Sequence, residues 1–191
     1  MPKCCVIIKK ITFSLIDIED CCIIIKIIIF EECFMIKIAN EKPNIFEYIE
    51  NVYCLDNFSA FAVTIKEIKF PTAEHAFQFF KFNETATEIA KQIMEANSPF
   101  EARKIAIENK PLRRDDWGKI KYKVMQEVLF QKTLQNPYVK EKLMSTCGKE
   151  IVEDCGDDDD KDWGCGMDGK GENNLGKIWM KIRECLDNEN L

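Results

Sequence analysis

The stretch Pro71-Thr72-Ala73-Glu74-His75-Ala76-Phe77-Gln78-Phe79-Phe80-Lys81-Phe82 constrains this chain more than any other. Wound as a helix at about 100° per residue, it brings Glu74, Gln78 and Lys81 within about 60° of one another. Phe77 and Phe82 flank that polar stripe, and Phe79, Phe80, Ala73 and Ala76 cover the remainder. A helix apolar over so much of its circumference is buried. Burying a carboxylate and an ammonium is costly unless the charges are paired or used chemically. The stripe is therefore either a structural ion pair in a core or one wall of an active site. On a straight helix Glu74 and Lys81 stand about 10 Å apart along the axis, too far to pair directly. Gln78 floors a gap of sugar-ring size between them.

At 191 residues the chain is long enough for one domain with a proper core and an appendage. Its net charge of −6 argues against broad affinity for nucleic acid or anionic membrane. The ten cysteines include no Cys-x-x-Cys pair, and no extracellular leader is evident, so reduced thiols and a cytoplasmic location are expected. His75 is the sole histidine, and no cluster of thiolates or carboxylates has ligand spacing, so no metal site is expected.

Two regions differ in character. Residues 1–40 form an Ile/Cys-rich N-terminal extension in which Cys4-Cys5-Val6-Ile7-Ile8 and Cys21-Cys22-Ile23-Ile24-Ile25 look related. The segment from Cys21 to Ile38 approaches membrane-spanning length, but Lys26, Glu31, Glu32 and Lys37 interrupt it. Each such charge costs about 3 kcal/mol at mid-bilayer, which disfavours a span. The extension reads as extra strands, as an aggregation-prone tail, or as sequence upstream of a natural start at Met35.

Residues 46–187 are ordinary and well punctuated. Alternation from Phe61 to Phe70 predicts a short β-hairpin. Thr72 caps the Glu74 helix, and Ser98-Pro99-Phe100-Glu101 is a capping box with proline at the first helical position. Asp115 or Asp116 opens a long helix through Lys132, and Asn136-Pro137 opens another ending near Cys147-Gly148. Glu150 to Asp154 returns as a strand, and Asn173 or Asn174 caps a last helix to about Leu186. The fold class is α+β, mostly helical, with a small antiparallel sheet.

Two glycine patterns mislead. Gly164-Cys165-Gly166-Met167-Asp168-Gly169 has the letters of a dinucleotide fingerprint, but an aspartate run precedes it instead of an apolar strand. Gly164 to Lys170 approaches a P-loop, yet Gly171 stands where a hydroxyl should hold magnesium. The glycines make either a tight loop whose amides approach a ligand or a plain connection. The run Asp157 to Asp160 fails the EF-hand pattern and reads as a solvated loop. Trp163, between Asp162 and Gly164, and Trp117, after Arg113-Arg114, are each either core residues or stacking surfaces for a base. The arginines are available for phosphate. Lys119, Lys121 and Lys123 read as the wet face of a helix. His75 points about 100° away from the stripe, which removes histidine-based nucleophilic mechanisms.

Several of these stretches, taken in order, resemble one family. They are Phe58-Ser59-Ala60-Phe61, Phe70 to Gln78 with Lys81-Phe82, Lys110-Pro111-Leu112-Arg113 with Asp116-Trp117, Trp163-Gly164, Asp168-Gly169-Lys170-Gly171, Asn173 or Asn174, and Leu175-Gly176. Their order and spacing are similar to the NADAR domain, also called the YbiA-like or riboflavin-intermediate N-glycosidase family. The resemblance implies hydrolysis of N-glycosidic bonds, either of phosphorylated ribosylamino-pyrimidines or of ADP-ribosylated guanine. It implies catalytic roles for Glu74 and Lys81. It implies substrate binding by Gln78, Arg113, Trp117, Asp162, Trp163, Gly164, Asp168 and Asn174. Two positions depart from the family pattern: Ala60 replaces an asparagine, and Ala106-Ile107 replaces a Gly-Arg pair, removing a polar group and a cation expected near the pocket.

Breaking a C1–N bond builds positive charge on the sugar, so a nearby carboxylate stabilises the transition state or activates water. Glu74, kept ionised by the helix dipole and Lys81, fits that role. Lys81 binds ribose hydroxyls or phosphate, or, if desolvated, attacks C1. No cofactor or metal is required, so activity should survive EDTA. The rival readings are a non-catalytic nucleotide or ADP-ribose binding module and an assembly protein driven by the Ile-rich head.

Overall fold

The computed structural model describes residues 4–7, 38–39, 46–47, 52–154 and 160–188. The remaining positions, including 21–37 with the membrane argument and Met35, and 155–159 of the aspartate run, lie outside the described residues.

In chain order the elements are β1 (Cys4–Ile7), β2 (Ile38–Ala39), β3 (Phe46–Glu47), a 3₁₀ turn (Tyr53–Leu55), β4 (Val63–Ile65) and β5 (Ile68–Phe70). Helices α1 (Ala73–Phe79), α2 (Thr87–Met94) and α3 (Pro99–Glu108) follow, then a second 3₁₀ turn (Lys110–Leu112). The long α4 (Trp117–Gln135), α5 (Pro137–Ser145), β6 (Lys149–Val152) and α6 (Asn174–Asn188) complete the order. The result is the expected mostly helical α+β fold. Its expected hairpin is β4–β5, closed by Lys66 and Glu67 at positive φ, the backbone that a two-residue primed turn demands. A second sheet, ordered β3-β2-β1-β6, is mixed: β1 lies parallel to β6, while β1–β2 and β2–β3 are antiparallel.

The caps explain where helices begin. Thr72 Oγ1 accepts from His75 N, and Ser98 Oγ accepts from Glu101 N with Pro99 in the first helical position. Glu101 closes its box one residue early, accepting from Asn97 N at 2.7 Å. Asp116 does not cap α4 with its side chain; its carboxylate is held by Arg114. The α2 helix, for which the sequence offers no capping side chain, starts at Thr87 and packs Ala90 and Ile93 against Phe82, Ala102 and Ala106.

The main core gathers β4, β5, α1, α4, α5, β6 and α6 around Phe70, Leu129, Leu143, Ile151 and Trp179. Every α1 residue from Ala73 to Gln78 is buried, as the apolar circumference demanded. The helix is shorter than the Pro71–Phe82 pattern suggested. It ends at Phe79, and tight turns follow, with Lys81 N donating to Gln78 O and Phe82 N to Phe79 O. Phe79 and Phe80 pack on Phe70 while Phe82 enters the separate α2–α3 cluster, so two cores pull this segment out of helical register.

Candidate active site

Glu74, Phe77 and Gln78 of α1 and Lys81 of the following turn line one cavity of about 180 Å³. Asp56, Asn57 and Phe58 form a second wall, Arg103 of α3 and Met125 of α4 contribute from the helices, and Glu153, Asp160, Trp163 and Leu175 close it. The volume suits a sugar or a single pyrimidine ring. The loop wall is tied directly to the helix, because Glu74 N donates to Asn57 O at 3.0 Å.

Gln78 Nε2 donates to Glu74 Oε1 at 2.6 Å. Burial raises the Glu74 pKa, and the Gln78 amide, Lys81 and Arg103 offset this only in part, so its net direction is upward. Lys81 forms no hydrogen bond or ion pair through Nζ among the described residues. Its ammonium sits over the rings of Phe77 (5.0 Å) and Trp117 (5.6 Å). Burial depresses Lys81 to about 8, with Glu74 opposing and Arg113, Arg103 and Lys121 reinforcing. A desolvated, unpaired amine next to a carboxylate can act as a nucleophile at neutral pH.

The remaining expected residues separate into groups. Trp163 lines the cavity, its ring edge-on to Phe77 at 5.4 Å. Trp117 does not line the cavity; it is core, buried behind Phe77 and beneath the Lys81 ammonium. Arg113 does not line the cavity but lies close enough to depress Lys81; its neighbour Arg114 is engaged by Glu84 and Asp116. Asp162 does not line the cavity; its carboxylate accepts from Lys121 Nζ, Tyr122 OH and Asn174 Nδ2. Lys121 is thereby drawn out of the wet face assigned to it. Asn174 also donates to Asp162 O at 2.8 Å, which makes the pair a strut rather than a ligand contact. Asp168 is on the surface, paired with Lys161 at 3.0 Å.

The glycine loop is a packing device. Gly171 N donates to Cys165 O and Gly169 N to Gly166 O, so these amides serve the loop itself. A Cβ on Gly171 would lie 2.3 Å from Gly164 O, and one on Gly176 would lie 2.1 Å from Ile151 O. Backbone bonds Asn173 N to Gly164 O, Asn174 N to Asp162 O and Leu175 N to Trp163 O then fix Trp163 against the start of α6. Asn173, at φ 50°, accepts from Lys177 N with its carbonyl, but its side chain leaves the helix. It takes Glu153 N on Oδ1 and gives Nδ2 to Ile151 O, each at 2.9 Å.

Neither departure from the family pattern reaches the cavity. Ala60 is exposed, Ala106 is packed in the α2–α3 cluster, and Ile107 is 63% exposed. Arg103, one turn earlier on α3, brings a cation to the lining instead. His75 is spent structurally: Nδ1 meets Thr72 Oγ1 at 2.8 Å and Nε2 meets Ala96 O at 3.1 Å.

Sequence reasoning missed Asp56, Asn57, Arg103, Met125, Glu153, Asp160 and Leu175. Glu153 carried a faint signal, an acid closing the apolar Ile151-Val152 pair. Asp160, last of the aspartate run, accepts from the Asp162 and Trp163 amides and shapes the Trp163 turn.

A small α+β protein with a charged, partly aromatic cavity between α1 and the loop before α6 is what fold and site define. The sequence profile described as NADAR domain matches residues 41–187. The riboflavin biosynthesis protein VVA0006 of Vibrio vulnificus is 33% identical over 147 residues, covering 76% of this chain and 39% of that protein. The chain thus spans well under half the length of that relative. The N-glycosidase YbiA of Escherichia coli is 34% identical over 131 residues, covering 68% of this chain and 79% of YbiA. The NMR structure of the E. coli protein YbiA superposes with a TM-score of 0.66 at 29% identity, covering 74% of this chain and 82% of that one. The chain belongs to the NADAR domain family.

Proposed function

We propose that this protein is an N-glycosidase that hydrolyses the C1–N bond of a phosphorylated ribosylamino-pyrimidine, an intermediate of riboflavin synthesis, or of ADP-ribosylated guanine. The observation that carries this reading is that Glu74 and Lys81 share one small cavity without an ion pair between them. A structural pair would be bonded; two opposite charges kept apart beside an aromatic wall leave room for a reacting sugar. Lys81 Nζ is the nucleophile at C1, Glu74 takes its proton and later activates water, Gln78 orients Glu74, and Trp163 stacks on the base. Arg103, with Arg113 nearby, supplies positive charge for phosphate. The catalytic unit is residues 46–187, with residues 1–40 as an extension to it. Cys147 and Cys185 are free thiols among the described residues, which supports a reducing, cytoplasmic setting. Among the described residues no helix is long and apolar enough to cross a membrane.

The test is to incubate purified protein with an aminouracil ribosylamine phosphate and, separately, with ADP-ribosylated DNA, and to assay free base. Release from one and not the other assigns the substrate. Tight binding of both with no release favours the non-catalytic binding module.

A further inference from the structure

Glu153 has no place in the scheme above, yet it is fixed with care. It follows β6, its amide bonded to Asn173 Oδ1 and its carbonyl accepting from Cys165 N at 2.9 Å. Its side chain lines the same cavity as Glu74, and its Oε2 is buried with no hydrogen-bond partner among the described residues. A buried carboxyl oxygen left without a partner costs stability, and a bound ligand is the natural group to satisfy it.

Resting on the glycosidase reading, we infer that Glu153 is a further catalytic residue, the general acid that protonates the departing base nitrogen from the cavity wall formed by the end of β6. Its surroundings suit an acid that stays protonated. Burial raises its pKa well above the ordinary carboxylate range, and Asp56, Asp160, Asp154 and Glu74 raise it further. The cations Lys81 and Arg103 line the same cavity, but they act on Glu74, which also has the Gln78 amide. Both carboxyl groups are raised, Glu153 the more, so of the two Glu153 is the one suited to give a proton and Glu74 the one suited to take it. Asn173, gripping both Ile151 and Glu153, is the positioning residue.

The step balances. As the C1–N bond breaks, its electron pair stays on the base nitrogen, which takes the Glu153 proton. Lys81 Nζ forms the new bond to C1 and gives a proton to Glu74. Water then replaces Lys81 at C1: the Glu74 proton returns to the departing amine, Glu74 takes the proton lost by water, and exchange with solvent returns that proton to Glu153. The net change is one water added across the C1–N bond.

The experiment compares wild type, Glu153→Gln and Glu74→Gln on two ribosylamines, one with the natural base and one with an electron-poor base that leaves without protonation. Glu153→Gln should lower kcat by about 10²-fold or more on the natural base, and by less than about tenfold on the activated one. Glu74→Gln should lose activity on both. Equal loss by Glu153→Gln on both substrates, or no loss on either, would overturn the assignment while leaving the glycosidase reading intact. Wild-type protein that releases neither base would overturn that reading and this one with it. Carboxyl-carbon NMR of ¹³C-glutamate-labelled protein reads the proton without turnover. Glu153 should titrate well above the ordinary carboxylate range, and titration within that range would overturn the acid role.

Discussion

Gln78 Nε2 and Glu74 Oε1 meet at 2.6 Å across one turn of α1, and Gln78 Oε1 is left buried without a partner among the described residues. The amide thus fixes the carboxylate while keeping its own acceptor free for a ligand. Glu74→Gln preserves size and removes a charge that burial already penalises. Base release should fall by about 10²- to 10⁴-fold. The Tm should stay within about 3 °C, under about 1 kcal/mol. A large drop in Tm with turnover retained would return Glu74 to a structural role.

Lys81, depressed to about 8 and without an ion partner among the described residues, is expected to work as a free amine. Turnover should rise with pH and level off above about 8, following the deprotonated fraction. Lys81→Arg should be as inactive as Lys81→Met, because a guanidinium stays protonated. Borohydride added during turnover should fix a sugar on Lys81, read by peptide mass. Retained activity in Lys81→Arg would make the residue a cationic clamp instead.

Lys132 is 0% exposed and donates to Asp56 O at 2.7 Å and Ser59 Oγ at 2.8 Å. It holds the Asp56–Phe58 wall from behind, through α4. Lys132→Met removes both bonds and leaves the Asp56 carboxyl buried without its cation. Urea denaturation should show a loss of about 3–5 kcal/mol. A loss below about 1 kcal/mol would show the wall standing on its own.

Burial raises Asp56 to about 7 and raises Glu74 and Glu153 as well. Between the unfolded carboxylate values and these raised ones, the folded chain binds more protons than the unfolded chain. Stability from these groups is therefore complete below about pH 4 and is lost as pH rises through the folded values. Lys81 and Lys132, both depressed to about 8, act oppositely: their cost is present below that value and is relieved toward pH 10.5. Urea midpoints should pass through a minimum between about pH 7 and 8, and Asp56→Asn should flatten the acidic side.

Gly171 and Gly169 separate close packing from backbone strain. Gly171→Ala pushes a methyl into Gly164 O and Cys165, and should cost about 1–3 kcal/mol and displace Trp163. Gly169 has open space but φ +71°, so Gly169→Ala should cost about 1 kcal/mol and leave turnover unchanged. Equal effects on turnover would dissociate the glycine loop from the position of Trp163.

Local order was legible. The Thr72 and Ser98 caps, the β4–β5 hairpin and the buried face of α1 depend on residues within one or two turns of each other. The same window holds Glu74 and Gln78. It did not hold the end of α1, since two separate cores compete for Phe79, Phe80 and Phe82 and release Lys81 into a turn. Nor could it distinguish Trp163, which lines the cavity, from Trp117, which packs behind it.

Local spacing by itself determined the helix faces, the turns and the charge stripe, because the geometry of a helix or hairpin is set by neighbours in the chain. Tertiary structure decided which acids face that stripe. Glu153 meets Glu74 only because Asn173 clasps the end of β6 and Gly176 lets the backbone of α6 close on Ile151. Contacts between such distant segments depend on how whole elements pack, and no periodicity along the chain records them.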